Sequence, residues 1–119
     1  MNDSYAAWRG RLAQGINTDF YTIEWLDRQL SEGGAFLLAT AHAAIVIEFK
    51  AFPSGKTAVH GLVAAGDIGE IENTLIPMAE TWGRSLGCSF GMIESSPAWG
   101  RIMKKHGYVP HQLTIVKEL

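Results

Sequence analysis

The sequence predicts an α/β (α+β) fold in which a mixed, mostly antiparallel sheet is flanked by helices. Two observations carry this. Three strand-like runs follow one another with only short breaks, and two further strand-like runs are each preceded by a helical pattern. Strands that are first hairpin-linked and then joined through helices give a mixed sheet with helices on its faces.

The elements follow in order. Phe20, Ile23, Leu26 and Leu30 have helical spacing, with Asn17, Thr18 or Asp19 as cap and Gly33-Gly34 as stop. "AFLLATA", "AAIVIEFKAF" and "TAVHGLVAA" are rich in Val, Ile and Phe, and "PSGK" separates the last two as a turn. They read as an antiparallel meander. From Ile68 the positions Ile71, Leu75, Met78, Trp82 and Leu86 recur every three or four residues, and Gly87 is placed to end the helix. Pro77 lies inside that pattern and cannot donate to the carbonyl of Asn73, so a kink or broken turn is expected there. "CSFGMIES" reads as a short buried strand. In "SPAWGRIMKKHGY", Ser96 is the expected N-cap, Pro97 the first helical residue, Lys104, Lys105 and His106 the cationic last turn, and Gly107 the stop. "HQLTIVKEL" alternates as a final strand would.

The 119 residues read as one domain, with residues 1–18 as an N-terminal arm. A hydrophobic fraction of 47%, 18% charged residues and a net charge of -2 suit a soluble globular chain and give no basic surface for nucleic acid. No run approaches the ~18 apolar residues of a membrane span, and the expected location is cytoplasmic. The single cysteine, Cys88, fits a reducing compartment and reads as a small core thiol. His42, His60, His106 and His111 show no metal-ligand spacing, so no metal is expected. Ser95 and Ser96 lie in no nucleophile elbow. Trp8 stands in a segment with no evident core of its own; if exposed, it would mark a surface for a protein partner or a second copy.

The stretch "AAGDIGEIENTL", residues 64–75, pairs a strand end with glycines, acids and a helix start. Helix N-termini bind anions because their first amides are unpaired and the dipole favours negative charge. Here Asp67 is placed as N-cap and Glu70 three residues on has capping-box spacing, so the acids can occupy the donors a phosphate would use. A cap is worth about 1 kcal/mol. A carboxylate roughly 6 Å from a phosphate would repel it by up to ~3 kcal/mol at an effective dielectric of about 20. The loop has a suitable shape and an unsuitable charge.

"TAVHGLVAAGDIGEIENTLIPMAETWGRSLGC" followed by "SFGMIESSPAWGRIMKKHGYVPHQLTIVKEL" resembles the GNAT N-acetyltransferase superfamily, over about residues 20–119. "KKHGYVP" after a capped helix is the more specific part, and the chain is also similar to compact GNAT-like proteins of tailed phages and prophages, which would allow a virion location. The segment "SYAAWRGRLAQG" is a poor match to the superfamily's first strand. The resemblance implies a sheet with two splayed central strands holding acetyl-CoA, whose pyrophosphate sits on a loop reading Gln/Arg-x-x-Gly-x-Gly/Ala. Carried onto this sequence, the cofactor would meet the backbone of Val63, Ala65, Gly66, Asp67, Ile68 and Gly69, with no Gln or Arg at the loop's start. Many members use a Tyr four residues before the closing Gly as acid; here that position is Met103, which cannot donate a proton. Tyr108 reads as a packing aromatic.

Acyl transfer to an amine also needs a base. The candidates are His60, which could equally be a solvent-facing strand residue, and Glu94, where strand gives way to helix. Two functions follow. The favoured expectation is a non-catalytic GNAT-like scaffold or phage-related assembly subunit, because loop Arg and helix Tyr are missing. The alternative is an acyl-CoA-dependent N-acetyltransferase acting on an amine of a small molecule or protein. A fold does not choose between them.

Overall fold

A computed structural model of the chain describes residues 3–119. Its elements are α1 (Asp3–Gly15), α2 (Ile23–Glu32), β1 (Phe36–Ala39), β2 (Ala43–Ala51), β3 (Thr57–Gly66), α3 (Ile68–Glu70), a π-helical turn (Ile71–Leu75), α4 (Ile76–Ser85), β4 (Phe90–Ile93) and α5 (Pro97–Met103), which closes in a 3₁₀ turn (Lys104–His106). The four strands form one sheet in the order β1-β2-β3-β4; the first three are antiparallel and β4 runs parallel to β3. The expected mixed, mostly antiparallel sheet with helices is observed.

The sheet is buried on both sides. On one face Tyr5, Trp8 and Leu12 of α1 and Leu26 of α2 pack on Ala44 and Val46; on the other Ile71, Leu75 and Ala79 pack on Ala43, Ile45, Ile47 and Val59. The alternation along β2 sends its side chains to opposite cores, so the strand reads as a nearly continuous apolar run.

Residues 3–15 are therefore a core helix where an arm was expected. Trp8 is only 6% exposed, which removes it as a partner surface. Tyr5, Trp8 and Leu12 recur at helical spacing, and α1 is tied to α2 by polar groups as well. Arg9 donates from Nε and one Nη to the two oxygens of Asp27 at 2.9 and 2.8 Å, and the Tyr5 hydroxyl donates to Asp27 at 2.6 Å. Arg9 holds the Asp27 carboxyl below its ordinary range, and burial together with Asp27 pushes the Tyr5 phenol well up.

Three other expectations shift. Helix α2 is capped by Thr22, whose hydroxyl accepts from Trp25 N at 3.1 Å, not by residues 17–19. Asn17 instead accepts from Asp19 N, starting a turn. Pro77 disturbs its helix as expected, through a π turn in which the amide of Ile76 reaches back to Ile71 O. The wider turn moves the buried stripe on to Ala79 and Gly83, so Met78 and Leu86, assigned inward from the sequence, are about half exposed. Segment 111–119, expected as a strand, pairs with nothing among the described residues and is exposed throughout.

Candidate functional site

The site forms where β3 and β4 part. The two strands pair from Ala58↔Phe90 to Gly61↔Ile93; beyond that β3 runs on to Gly66 without β4 beside it. A bulge on β3 helps them separate: Val46 faces Val63 and Ile47 faces Gly61, leaving Leu62 as the extra residue. Bulges add local twist and bend the strand that carries them. In open α/β sheets, ligands bind beyond the carboxyl ends of parallel strands.

His60 and Glu94 meet at this opening. His60 lies on β3 directly across from Glu48 on β2, and its Nδ1 is 2.9 Å from Glu48 Oε1. Its Nε2 is 3.0 Å from Oε1 of Glu94, the residue just past β4. That second approach is within ion-pair range but not aligned for a hydrogen bond, so Nε2 is a buried ring nitrogen without a hydrogen-bond partner among the described residues. Lys50, two pairs further along β2, brings Nζ to 3.8 Å from Glu94. His60 is fully buried, not solvent-facing, while the Glu94 side chain is 56% exposed. A buried imidazole thus stands between two carboxylates, one of which reaches solvent. These side chains are not arranged to hold a metal ion among the described residues.

Glu48 was not singled out from the sequence, although a signal was present. The "PSGK" hairpin closes with Phe52 N donating to Lys56 O, and counting four residues each way from that pair places Glu48 opposite His60.

At the far end of β3, Gly66 adopts φ +98°, and a Cβ there would sit 2.2 Å from His42 O and 3.0 Å from the Trp8 ring. Only glycine fits, because both the backbone angle and the close approach exclude a side chain. The next residue caps the helix as expected: Asp67 Oδ1 accepts from Glu70 N at 2.9 Å. The box is not reciprocal, however. Asp67 N donates to His42 O at 2.8 Å, and the Glu70 carboxylate turns to His42, with Oε2 3.0 Å from Nδ1 and Oε1 accepting from His42 N at 3.4 Å. Of the four amides that open the helix, two are thereby satisfied, and those of Ile68 and Gly69 have no intrahelical acceptor. Val63 and Ala65, the other cofactor candidates, lie on β3 and pack against the α1 core.

On the opposite side of β4, the Tyr108 hydroxyl donates to Glu80 at 2.9 Å, and the ring lies over Gly91, where a Cβ would approach the hydroxyl to 2.9 Å. Burial and the Glu80 carboxylate push this phenol well up, so it is a locked packing group. Met103 is buried. Ser96 occupies the N-cap position of α5 but its side chain makes no capping bond. Lys105 and His106, expected to answer the helix dipole, instead pair with the buried Glu72 of the π turn at 2.6 and 2.8 Å and lower its pKa.

No family model matches the sequence, and no curated protein is similar to it. Solved structures do share the fold. An acetyltransferase of Trypanosoma brucei superposes with a TM-score of 0.69 at 13% identity, covering 100% of this chain and 96% of the other. Glucosamine-6-phosphate N-acetyltransferase from Arabidopsis thaliana gives 0.69 at 15% identity, covering 98% and 91%. A predicted acetyltransferase from Clostridium acetobutylicum, solved with acetyl-CoA, gives 0.61 at 11% identity, covering 81% and 71%. The chain has the fold of these acetyltransferases, with the Glu48–His60–Glu94 row at the parting of its two parallel strands.

Proposed function

We propose that the protein is an acyl-CoA-dependent N-acyltransferase whose acceptor is an amine of a small molecule or protein. The observation that carries this is the meeting of His60 and Glu94 at 3.0 Å where β3 and β4 separate. Glu94 is the group of the row that reaches solvent, so it is the candidate general base. His60 is a positioning residue: buried between Glu48 and Glu94, it sets Nε2 within ion-pair range of the latter's carboxylate at the opening. Glu94 takes the proton that the acceptor nitrogen loses as it forms the new amide bond.

Acetyl-CoA would supply an acyl thioester. The residues present fit its phosphates through backbone alone, on the amides of Ile68 and Gly69 at the helix start. The nearby acids are engaged elsewhere, Asp67 with an amide and Glu70 with His42, which lessens the repulsion expected from the sequence. Neither Tyr108 nor Met103 stands ready as an acid for the departing thiolate, so that proton comes from solvent. The scaffold reading finds no support in the comparisons, and nothing in them bears on a phage-related assembly.

The test is calorimetric titration with acetyl-CoA at low salt, followed by thiol release against a panel of primary amines. Micromolar to submillimolar binding is expected. Glu94→Gln should bind equally and lose roughly 10²- to 10⁴-fold in turnover, the usual contribution of a positioned base. Absence of heat at millimolar acetyl-CoA would end the proposal.

A further inference from the structure

The buried Nε2 of His60 makes no aligned hydrogen bond among the described residues, yet stands 3.0 Å from Oε1 of Glu94. A buried polar atom left unpaired in a native fold calls for a reason, and a part in proton transfer is one such reason. The sheet accounts for how the ring is enclosed. His60 faces Glu48 on β2 and Met92 on β4, and Glu94 lies two residues past Met92, on the same side of the chain. Ile47 and Val59, the neighbours of Glu48 and His60, belong to the core that α4 covers. The row therefore lies on the other face of the sheet, on which α1 and α2 pack.

The two ring nitrogens are not equivalent. Nδ1 is 2.9 Å from Glu48 Oε1, and a carboxylate can only accept, so Nδ1 carries the proton of the neutral ring. Nε2 is then left with a lone pair that faces a carboxylate oxygen, which also has only lone pairs to offer. Two such atoms repel each other at this distance unless one of them holds a proton. The contact with Glu94 is thus that of a row that has taken up one proton, with an imidazolium between two carboxylates. Without that proton Glu94, whose side chain is 56% exposed, is pushed towards the opening. Lys50 is the one other charged group within ion-pair range of the row among the described residues, and it approaches Glu94, not the ring.

We infer that Glu48 and His60 form a proton relay behind Glu94: Glu48 fixes the tautomer of the ring, and Nε2 receives the first of the two protons that an ammonium nitrogen must lose to become an amide. The relay rests on the acyltransferase reading and adds a substrate class to it, amines basic enough to arrive charged. In the first step an N–H bond of the ammonium breaks and its proton goes to a Glu94 oxygen. The new O–H bond then breaks as Nε2–H forms, which leaves Glu94 a carboxylate again. Glu48 makes this possible because a buried carboxylate on Nδ1–H both orients an imidazole and stabilises the imidazolium that forms. In the second step the nitrogen gives its next proton to Glu94 as the amide bond forms, while the departing thiolate takes a proton from solvent. The row finally returns two protons to solvent through Glu94, since the ring itself is 0% exposed. One proton is released for each amide made. A lone carboxylate would have to be emptied between the two protons.

The experiment has two parts. Nitrogen NMR of the full chain with ring-labelled histidine, assigned by the signals missing in His60→Gln, should find Nδ1 of His60 protonated at neutral pH. Turnover is then measured for the native chain, Glu48→Gln and His60→Gln with an alkylamine and with an O-alkylhydroxylamine of the same shape, which arrives uncharged and has one proton fewer to lose. The ratio of alkylamine to alkoxyamine turnover should fall roughly 10²-fold in both variants, the lower end of what a positioned proton-transfer group contributes. A merely structural role would lower both rates together and leave the ratio unchanged, and that result would overturn the relay. So would a His60 with a bare Nδ1, a measurement made on the native chain and independent of whether a variant folds. No thiol release from the native chain with either amine is failure of the acyltransferase reading, and the relay falls with it; turnover by the native chain with an unchanged ratio in the variants is failure of the relay alone.

Discussion

Replacing Trp8 by Ala asks whether α1 belongs to the core or is an appendage. Trp8 is 6% exposed, packs with Tyr5, Leu12 and Leu26, and lies against Gly66 at the end of β3. An aromatic side chain of this size buries about 150–250 Å², which at about 25 cal/mol per Å² is about 4–6 kcal/mol. That figure is an upper bound, because unfolded chains already bury part of such surface. Truncations of buried Phe or Trp to Ala cost about 3–5 kcal/mol, a large part of the roughly 5–15 kcal/mol that holds a domain together. The Arg11 guanidinium stacks 3.7 Å from the Trp8 ring centroid. Arg11→Ala is therefore the control, with an expected loss of about 0.5–1 kcal/mol. Urea unfolding followed by far-UV circular dichroism should show the Trp8→Ala midpoint falling by roughly 1–5 M, given slopes of about 1–3 kcal/mol/M. A loss below about 1 kcal/mol with an unchanged slope would refute the reasoning and return residues 1–18 to the status of an arm.

Two further outcomes follow from local geometry. Gly66→Ala should destabilise the fold by about 1–3 kcal/mol, the usual range for a strained backbone position, because the residue has φ +98° and its new Cβ would meet His42 O; a neutral result in thermal melting would contradict that geometry. Asp27 has a depressed folded pKa, caused first by Arg9, so its stabilisation is present above the unfolded carboxylate value of about 3.9 and is lost as pH falls through the lower folded value. Asp27→Asn should then be less stable than the native chain at pH 7, with the difference closing in acid below about pH 4; an equal difference at both pH values would sink the pairing as its cause.

The candidate site was half legible before any fold was known. His60 was named as a candidate base from its place on the strand before the loop and Glu94 from its place at a strand end, but nothing local showed that they touch, since that contact needs the parallel pairing of β3 with β4 across a helix. Glu48 was within reach of the hairpin register. The loop acids show the reverse case. Spacing identified Asp67 as a cap, whereas the turn of Glu70 away to His42 depends on the β1–β2 connection lying beside the helix start.

What the sequence determined by itself was the set of elements whose signals are local: the β2–β3 hairpin set by "PSGK", the glycine stops at Gly33 and Gly107, and the disturbance caused by Pro77. These depend on turn chemistry, missing donors and left-handed backbone angles, all properties of a few adjacent residues. The tertiary structure alone decided the rest. It made α1 part of the core, because three apolar residues on a polar helix acquire meaning only when a sheet face is present to receive them. It carried the buried stripe of the long helix from Met78 to Ala79, because a π turn shifts phase. It left residues 111–119 unpaired among the described residues, because an alternating segment is a strand only where an edge receives it.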